Sequence, residues 1–229
     1  MKKILHLILI SLFSFTVISC AKKSDSSSST ASTAISSGTT NSLYGITYDN
    51  STFVTVGDNG TILTSSDLTT WTSRTSGTSN NLNGVIYANN TFVTVGWNGT
   101  ILTSSDNGTT WTSRTSGTSN SVYWTAYANI TFVTVGEYGT ILTSSDNGTT
   151  WTTRTSGTTN TLPEVTYANS TFVTAGYSGT ILTSSDGTTW TSRTSGTTNK
   201  LYGVTYGNST FVVVGETGTI LTSSDGTTW

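Results

Sequence analysis

The chain has 229 residues, a formal net charge of −2 and charged side chains at only 9% of its positions. Its single histidine, His6, and its single cysteine, Cys20, both lie in the first twenty residues. The remainder therefore has no side chains for a His/Cys zinc site, a Ser-His-Asp triad or a Cys-His dyad. From residue 33 on, ten acidic side chains outnumber five basic ones, which argues against nucleic-acid binding. We expect no metal and no other cofactor.

The first twenty residues have the pattern of a secretory signal peptide. A basic head, Lys2-Lys3, precedes an apolar run from Ile4 to Ile18 that is too short for a comfortable membrane span. The sequence VISC, ending at Cys20, resembles the lipobox of bacterial lipoproteins. That resemblance implies a signal peptide over residues 1–19, a lipidated Cys20 and a membrane-anchored protein of the bacterial cell envelope whose folded part lies outside the cytoplasm. An ordinary signal peptide with a chance cysteine is the alternative.

A Ser-rich segment follows that has nothing to pack into a core. It reads AKKSDSSSSTAST after Cys20, and this composition is typical of a solvated, flexible linker. We predict a tether over residues 20–32 that joins the lipid anchor to a folded domain beginning at residue 33.

The rest of the chain is a fivefold repeat, marked by tryptophans at positions 71, 111, 151, 190 and 229. Each copy contains four short runs rich in Thr, Val, Ile, Tyr and Trp, separated by Asn, Gly and Asp. In the first copy these runs are Tyr44–Tyr48, Thr52–Gly57, Thr61–Ser66 and Thr69–Arg74. Four short strands in about 40 residues are typical of a β-propeller blade, with a β-solenoid coil as the competing fold. The predicted fold is all-β, a propeller of five four-stranded blades.

Cutting the chain after each tryptophan gives five whole units: 33–71, 72–111, 112–151, 152–190 and 191–229. Residues 33–45 align with residues 191–203, so the N-terminal segment carries the tail that the last unit lacks. We expect a closed, monomeric ring in which the segment near Ile35 continues the outer strand of the blade ending at Trp229, leaving no unpaired edge. A truncated longer array is the alternative.

The sequence SSDNGTTW at 104–111 and 144–151 fits the Asp-box pattern of sialidase-like (BNR) repeats. The whole unit is similar to the repeats of the photosystem II stability and assembly factor family. We expect the carboxylate to accept backbone N–H bonds in a hairpin, glycine to supply a positive φ, and tryptophan to pack between blades. Copies at 184–190 and 223–229 lack one residue, and 65–71 lacks the glycine, so these hairpins should be tighter or, in the first copy, irregular. The structural residues are Asp67, Asp106, Asp146, Asp186, Asp225, Trp71, Trp111, Trp151, Trp190 and Trp229.

The resemblance to sialidases implies an arginine trio, a Tyr–Glu nucleophile and an acidic Asp. Here Arg74, Arg114, Arg154 and Arg193 occupy one equivalent outer-strand position in separate copies, so they should not converge on the axis. Glu137, Glu164 and Glu216 offer carboxylates, which a glycosidase would need at about 5 Å or 6.5–9.5 Å from one another. Without a partner base, metal cluster or phosphate loop, we expect no catalytic residues and no enzyme.

Two zones differ among otherwise uniform copies: the pair in VGxxG between the second and third strands, and the entry to the first strand. Both should emerge on one face around the axis, opposite the Asp-box turns. Aromatic and acidic residues there suit a glycan or a protein partner; the alternative is drift in exposed turns. Further alternatives are an assembly-factor-like scaffold for a membrane protein and a sialidase-like glycoside hydrolase. The candidate binding residues are Trp97, Trp124, Tyr123, Tyr138, Tyr177, Asp58, Glu137, Glu164 and Glu216.

Overall fold

The computed structural model describes residues 34–229, which form five antiparallel sheets in chain order. Blades 1 to 4 have four strands each and blade 5 has three. The predicted signal peptide, the tether and Cys20 lie outside the described residues. The all-β propeller architecture predicted from the repeats is confirmed.

Each blade is a meander whose strands pair in sequence order. Blade 1 contains β1 (Leu43–Asp49), β2 (Thr52–Gly57), β3 (Ile62–Ser65) and β4 (Thr72–Arg74). Blade 2 contains β5 (Leu82–Ala88), β6 (Thr91–Gly96), β7 (Ile101–Ser104) and β8 (Thr112–Arg114). Blade 3 contains β9 (Val122–Ala128), β10 (Thr131–Gly136), β11 (Ile141–Ser144) and β12 (Thr152–Arg154). Blade 4 contains β13 (Glu164–Ala168), β14 (Thr171–Ala175), β15 (Ile181–Ser184) and β16 (Thr191–Arg193), and blade 5 contains β17 (Leu201–Gly207), β18 (Thr210–Gly215) and β19 (Ile220–Ser223).

Neighbouring blades are joined by apolar seams. Because side chains alternate along a strand, Val54 and Val56 of β2 point to the same side of blade 1. Together with Ile62 they form a buried cluster with residues of blade 2 that include Leu82 and Phe92. The other three seams repeat this arrangement at equivalent positions. The four seams contain most of the buried apolar side chains. Burying one such side chain contributes about 1.5–3 kcal/mol to stability.

The predicted sharing of a blade by the two ends of the chain is wrong. Residues 34–42 form no strand, and blade 5 remains three-stranded. The seam-forming side chains at both ends are uncovered: Leu43 is 40% exposed where its equivalent Leu82 is fully buried, and Ile220 is 67% exposed where Ile181 is buried. The rotation set by four seams therefore does not bring blade 5 onto blade 1. The expected monomer stays a prediction.

The N-terminal segment holds blade 1 in a different way. The Asn41 side chain donates to Thr61 Oγ1 at 2.7 Å, as the asparagine of each later connecting loop does in its own blade; the equivalent pairs are Asn80–Thr100, Asn120–Thr140, Asn160–Thr180 and Asn199–Thr219. The segment thus reproduces the connecting loop of the other blades but does not pair with β19.

The predicted hairpin chemistry is present in the turn that follows the third strand of each blade, which we call the Asp hairpin (65–71, 104–111, 144–151, 184–190 and 223–229). Asp106 accepts the Thr110 N–H at 2.9 Å, Gly108 has a φ of 74°, and Trp111 Nε1 donates to the Gly108 carbonyl at 3.0 Å. The Trp111 ring packs against the seam between blades 1 and 2. The fourth run was predicted to begin at Thr69. Because the turn extends to Trp71, β4 begins at Thr72.

The shorter and altered Asp hairpins also behave as expected. Asp186 accepts the N–H groups of Thr188 and Thr189, two and three residues ahead, so this turn is tighter than the one at Asp106. In blade 1, Leu68 adopts a φ of 63°, a left-handed conformation that costs a branched residue more than glycine. The first hairpin is therefore the irregular one.

We predict that the Asp hairpins make stability depend on acid pH. Bonds from the Thr150 hydroxyl and N–H lower the pKa of Asp146 from 3.8 to about 2. Its contribution is therefore complete above about pH 4 and is lost as the pH falls towards 2. Asp146→Ala should lower the melting temperature by a few degrees at pH 7, since about 1 kcal/mol of hydrogen bonding is lost. The difference from the parent should shrink at pH 2.5.

Thermal melts at pH 7, 4 and 2.5 would measure this effect. Asp49→Ala is the matched control, because the Asp49 carboxylate accepts the N–H of the adjacent Asn50 and belongs to no Asp hairpin. A difference between Asp146→Ala and its parent that is equal at pH 7 and 2.5 would contradict the assignment.

Candidate functional site

The diversified positions lie on one face of the propeller, which we call the turn face. It consists of the 2–3 turns, single 3-10 turns at 58–60, 97–99, 137–139, 177–179 and 216–218, together with the entries to the first strands. The two zones adjoin within a blade: the Glu137 N–H donates to the Ser121 carbonyl at 2.9 Å. The Asp hairpins lie at the opposite ends of the strands, where Ser65 pairs with Phe53. The prediction that the varied residues and the Asp hairpins lie on opposite faces is therefore correct.

Three tyrosine–carboxylate pairs stand on the turn face, in blades 1, 3 and 5. The hydroxyl donates across 2.6–2.9 Å to the carboxylate that opens the 2–3 turn of the same blade; the pairs are Tyr44–Asp58, Tyr123–Glu137 and Tyr202–Glu216. In blades 3 and 5 the second carboxylate oxygen accepts a backbone N–H, from Ser121 and Lys200 respectively. The carboxylates thus hold the tyrosine rings in fixed positions.

The protonation of these pairs follows from their bonds. Partial burial raises the pKa of Glu137, but bonds from Tyr123 and Ser121 outweigh it and the net pKa lies below the usual value. The Tyr202 hydrogen bond lowers the pKa of Glu216. Burial, followed by the bond to Glu137, raises the pKa of Tyr123. At neutral pH the glutamates are therefore ionised acceptors and the tyrosines are neutral donors.

Blades 2 and 4 carry an aromatic ring at the position of the carboxylate. Trp97 and Tyr177 open these 2–3 turns, while Asn83 and Pro163 stand where the other blades have tyrosine. The turn face therefore alternates, from blade 1 to blade 5, between carboxylate and aromatic residues. Trp97 is exposed.

One basic side chain of the chain itself already lies on this face. Lys200 Nζ lies 5.1 Å from the centroid of the Tyr177 ring and 3.4 Å from Glu216 Oε1. The Tyr177 and Tyr202 rings meet edge to face, with centroids 6.1 Å apart. Lys200 is thus seated between an aromatic residue of blade 4 and the tyrosine–carboxylate pair of blade 5.

Two predicted binding residues take part in blade packing, and their role in binding stays a prediction. Glu164 Oε2 accepts the N–H of Val204 in the next blade at 3.0 Å. Trp124 is half-buried and packs against the seam between blades 3 and 4, and its ring also lies against Gly84 of blade 2. Both side chains fill positions where blades 1, 2 and 5 have glycine. They connect blades near the first strands and present little free surface.

Tyr138 occupies a different part of the turn face. It has a φ of 52°, a left-handed conformation that asparagine takes at the equivalent positions 59 and 98 and that is uncommon for tyrosine. Its side chain is 69% exposed and lines a shallow groove whose wall includes Asn120 and Arg154. It therefore does not join the alternating row of carboxylates and rings.

The four arginines lie apart from one another, as predicted. Each donates from Nε, at 2.8 Å, to a threonine hydroxyl on the third strand of its own blade; the pairs are Arg74–Thr64, Arg114–Thr103, Arg154–Thr143 and Arg193–Thr183. Within residues 34–229 no three His, Cys, Asp or Glu side chains are grouped for a metal ion. The same part of the chain contains no helix with the length and apolarity to cross a bilayer.

Sequence reasoning missed three residues of this face, namely Tyr44, Tyr202 and Lys200. The signal for the tyrosines was a Tyr and an acid 14 residues apart in blades 1, 3 and 5, and in no other blade. The position of Lys200 depends on the contact between two blades and has no such local signal.

No family model matches the sequence, and no curated protein matches it significantly. Solved structures do resemble the fold. A structure of the photosystem II assembly factor YCF48 bound to D1 peptide has a TM-score of 0.66 at 20% identity, over 83% of this chain and 68% of that one. BamB from Moraxella catarrhalis has a TM-score of 0.63 at 9% identity, over 78% and 56%. The GH74 enzyme of Niastella koreensis has a TM-score of 0.54 at 22% identity, over 80% and 30%.

These similarities confirm the propeller and, at the level of fold, the resemblance of the repeats to the assembly-factor family. They include both an assembly factor and a glycoside hydrolase, so they do not by themselves distinguish binding from catalysis.

We predict that Glu164 serves the seam between blades 4 and 5 rather than a ligand. Burial raises the pKa of its carboxyl group above the usual value, against the opposing effect of the Val204 N–H. Because a raised carboxyl pKa favours the protonated form, stability should be greatest below the unfolded pKa of about 4.5 and should decline as the pH rises through the higher folded value. Glu164→Gln keeps an acceptor for Val204 and removes the buried charge.

Glu164→Gln should therefore melt at or above the melting temperature of the parent at pH 7. Between pH 4.5 and 7 its melting temperature should change less than that of the parent. Glu216→Gln, on the exposed turn face, is the control. A Glu164→Gln protein that melts below its parent at pH 7 would show that the ionised form is the one the seam requires.

Proposed function

We propose that this chain is a non-catalytic binding protein whose turn face receives an exposed segment of a partner protein. The observation that carries the proposal is the alternating row of tyrosine–carboxylate pairs and single aromatic rings, mounted on otherwise uniform blades. Rigid aromatic side chains give contact area at low cost in conformational entropy and are enriched at protein interfaces.

The bonding of the carboxylates argues against the two carbohydrate alternatives. One oxygen of Glu137 and of Glu216 already accepts a tyrosine hydroxyl and the other accepts a backbone N–H, so each carboxylate has fewer free lone pairs for sugar hydroxyls. A glycosidase needs a carboxylic acid whose pKa is raised towards neutrality. The pKa values of Glu137 and Glu216 are lowered. Glu164, whose pKa is raised, lies between blades 4 and 5 with Oε2 bonded to the Val204 N–H.

A polypeptide ligand, of the kind that a scaffold or assembly factor receives, is consistent with one of the structures that share this fold. One structure of YCF48 is described as bound to a D1 peptide. At 20% identity this is a likeness of fold alone, so the proposal of a peptide ligand rests on the turn face of this chain.

The binding proposal is tested by presenting the purified full chain to a peptide array and a glycan array. We expect discrete peptides to bind and Trp97→Ala with Tyr202→Ala to weaken that binding at least tenfold, because two exposed aromatic contacts are removed. Ile130→Ala is the matched control: its side chain is 70% exposed, in the turn between β9 and β10 at the other end of the blade.

Binding of glycans without peptides would replace the proposal with a lectin. Peptide binding that survives the double substitution would place the site off the turn face, and binding to neither array would favour drift in exposed turns.

We also propose that the domain is carried as a lipoprotein of the bacterial cell envelope, through Cys20. Support comes from the apolar run that ends in VISC and from the Ser-rich tether that follows it. A tether of about twelve flexible residues gives a mean reach of roughly 20 Å from the membrane surface.

Cys20→Ser should abolish labelling of the chain by radioactive palmitate in a bacterial host and shift it from the membrane pellet to the soluble fraction. Ser26→Ala, within the tether, should leave both unchanged. Palmitate incorporation into Cys20→Ser would contradict the lipid anchor.

A further inference from the structure

We infer that the boundary between blades 2 and 3 is a binding site, which we call a cation seat, for a lysine or arginine side chain of the partner. This inference specifies the ligand chemistry of the turn face and rests on the proposed function. It begins from Lys200, which shows how a basic side chain is held on this surface: its ammonium group approaches the Tyr177 ring and the Glu216 carboxylate together.

The boundary between blades 2 and 3 repeats the frame around Lys200. Trp97 opens the 2–3 turn of blade 2 as Tyr177 opens that of blade 4, and each turn contacts the first strand of the next blade. Tyr123–Glu137 stands in the place of Tyr202–Glu216, with hydroxyl-to-carboxylate distances of 2.9 Å and 2.8 Å. The aromatic turn and the tyrosine–carboxylate pair are therefore both present.

The two boundaries differ at the residue that supplies the cation. They also differ at Asn83, whose side chain donates to the Val122 carbonyl where blade 4 has Pro163, and at Trp124, where blade 5 has Gly203. Ser121 occupies the position of Lys200, and its backbone makes the same two bonds. Its carbonyl accepts the Glu137 N–H at 2.9 Å, as that of Lys200 accepts the Glu216 N–H at 2.8 Å. Its N–H donates to Glu137 Oε2 at 3.1 Å, as that of Lys200 donates to Glu216 Oε2 at 3.3 Å. The short serine side chain leaves the cation position unfilled by the chain itself.

The side chains at the boundary between blades 2 and 3 suit a cation better than those around Lys200 at the boundary between blades 4 and 5. Tryptophan is the strongest aromatic partner for a cation, and Trp97 is exposed. Glu137 is ionised at neutral pH because its pKa lies below the usual value. The carboxylates of Asp58, Glu137 and Glu216 give this face a negative charge that attracts basic segments. Arginine fits as well as lysine, because its guanidinium group stacks on aromatic rings.

The test is a titration followed through the indole N–H signals of the full chain by NMR, with the Trp97 signal assigned from Trp97→Phe. The probes are acetyl-Gly-Lys-Gly-amide, acetyl-Gly-Arg-Gly-amide and, as the neutral control, acetyl-Gly-Gln-Gly-amide. We expect the two basic peptides to shift the Trp97 signal saturably at millimolar concentration, since one exposed cation contact is weak. The neutral peptide should not shift it.

Ser121→Lys supplies an internal cation and should weaken binding of the basic probes at least fivefold. Ser121→Gln is the matched control, with a long neutral side chain, and should retain binding. The reciprocal substitution, Lys200→Ser, empties the first seat and should raise the number of bound lysine peptides from one to two. Unchanged melting temperatures would show that each variant is folded.

Equal shifts with the lysine and glutamine peptides, or a Ser121→Lys protein that binds as its parent does, would overturn the seat. The same variants on the peptide array separate this result from failure of the proposed function. Array binding that is insensitive to Ser121→Lys but lost with Trp97→Ala and Tyr202→Ala would keep the binding face and discard the seat.

Discussion

The apolar seam between consecutive blades is the contact on which the rest of this structure depends. Between blades 1 and 2, two valines of the second strand and an isoleucine of the third meet a leucine and a phenylalanine of the next blade. A single four-stranded sheet cannot bury both of its faces, so each blade is stable only against its neighbours. The seam also fixes the position of each 2–3 turn relative to the next first strand, and this relation places residues of different blades side by side on the turn face.

A constant frame with varied side chains explains how the turn face acquires its chemistry. The asparagine-to-threonine bond from the connecting loop recurs in all five blades, and the backbone bond from the turn to the strand entry recurs with it. Substitutions at the first turn residue therefore change the surface without moving the backbone. Carboxylates and rings alternate because acids occupy this position in the odd blades and aromatics in the even ones.

The parts of the structure that were predictable from the sequence are those encoded within one repeat. The spacing of the tryptophans and the strand-forming runs predicted the blades, and the Ser-x-Asp pattern predicted the Asp hairpins. The order of the strands within one repeat predicted the face on which the varied residues lie. The pairing of Tyr123 with Glu137 is also encoded within one repeat, by a spacing of 14 residues. It was not predicted because the variable positions were considered one residue at a time.

Features that depend on several repeats together were beyond the sequence. Closure of the ring depends on small rotations that add up over four seams, and no local pattern reports their sum; the exposed Ile220 and Leu43 show the outcome. The packing of Trp124 and Glu164 between blades could not be foreseen for a related reason. Their positions vary among the copies as binding positions do, but the space they fill lies between blades, where glycine in the other copies had left room.

Near-identity of the blades has a consequence for how the chain reaches this fold. A strand such as β6 carries the sequence TFVTVG, which β2 and β10 also carry. Its correct neighbours are therefore distinguished mainly by closeness along the chain and hardly by side-chain fit. Repeat proteins of this kind are prone to misassembly, in which an element joins the wrong copy or the same element of another molecule. Short connecting loops, which favour pairing of adjacent segments, become the main safeguard of the order of the blades.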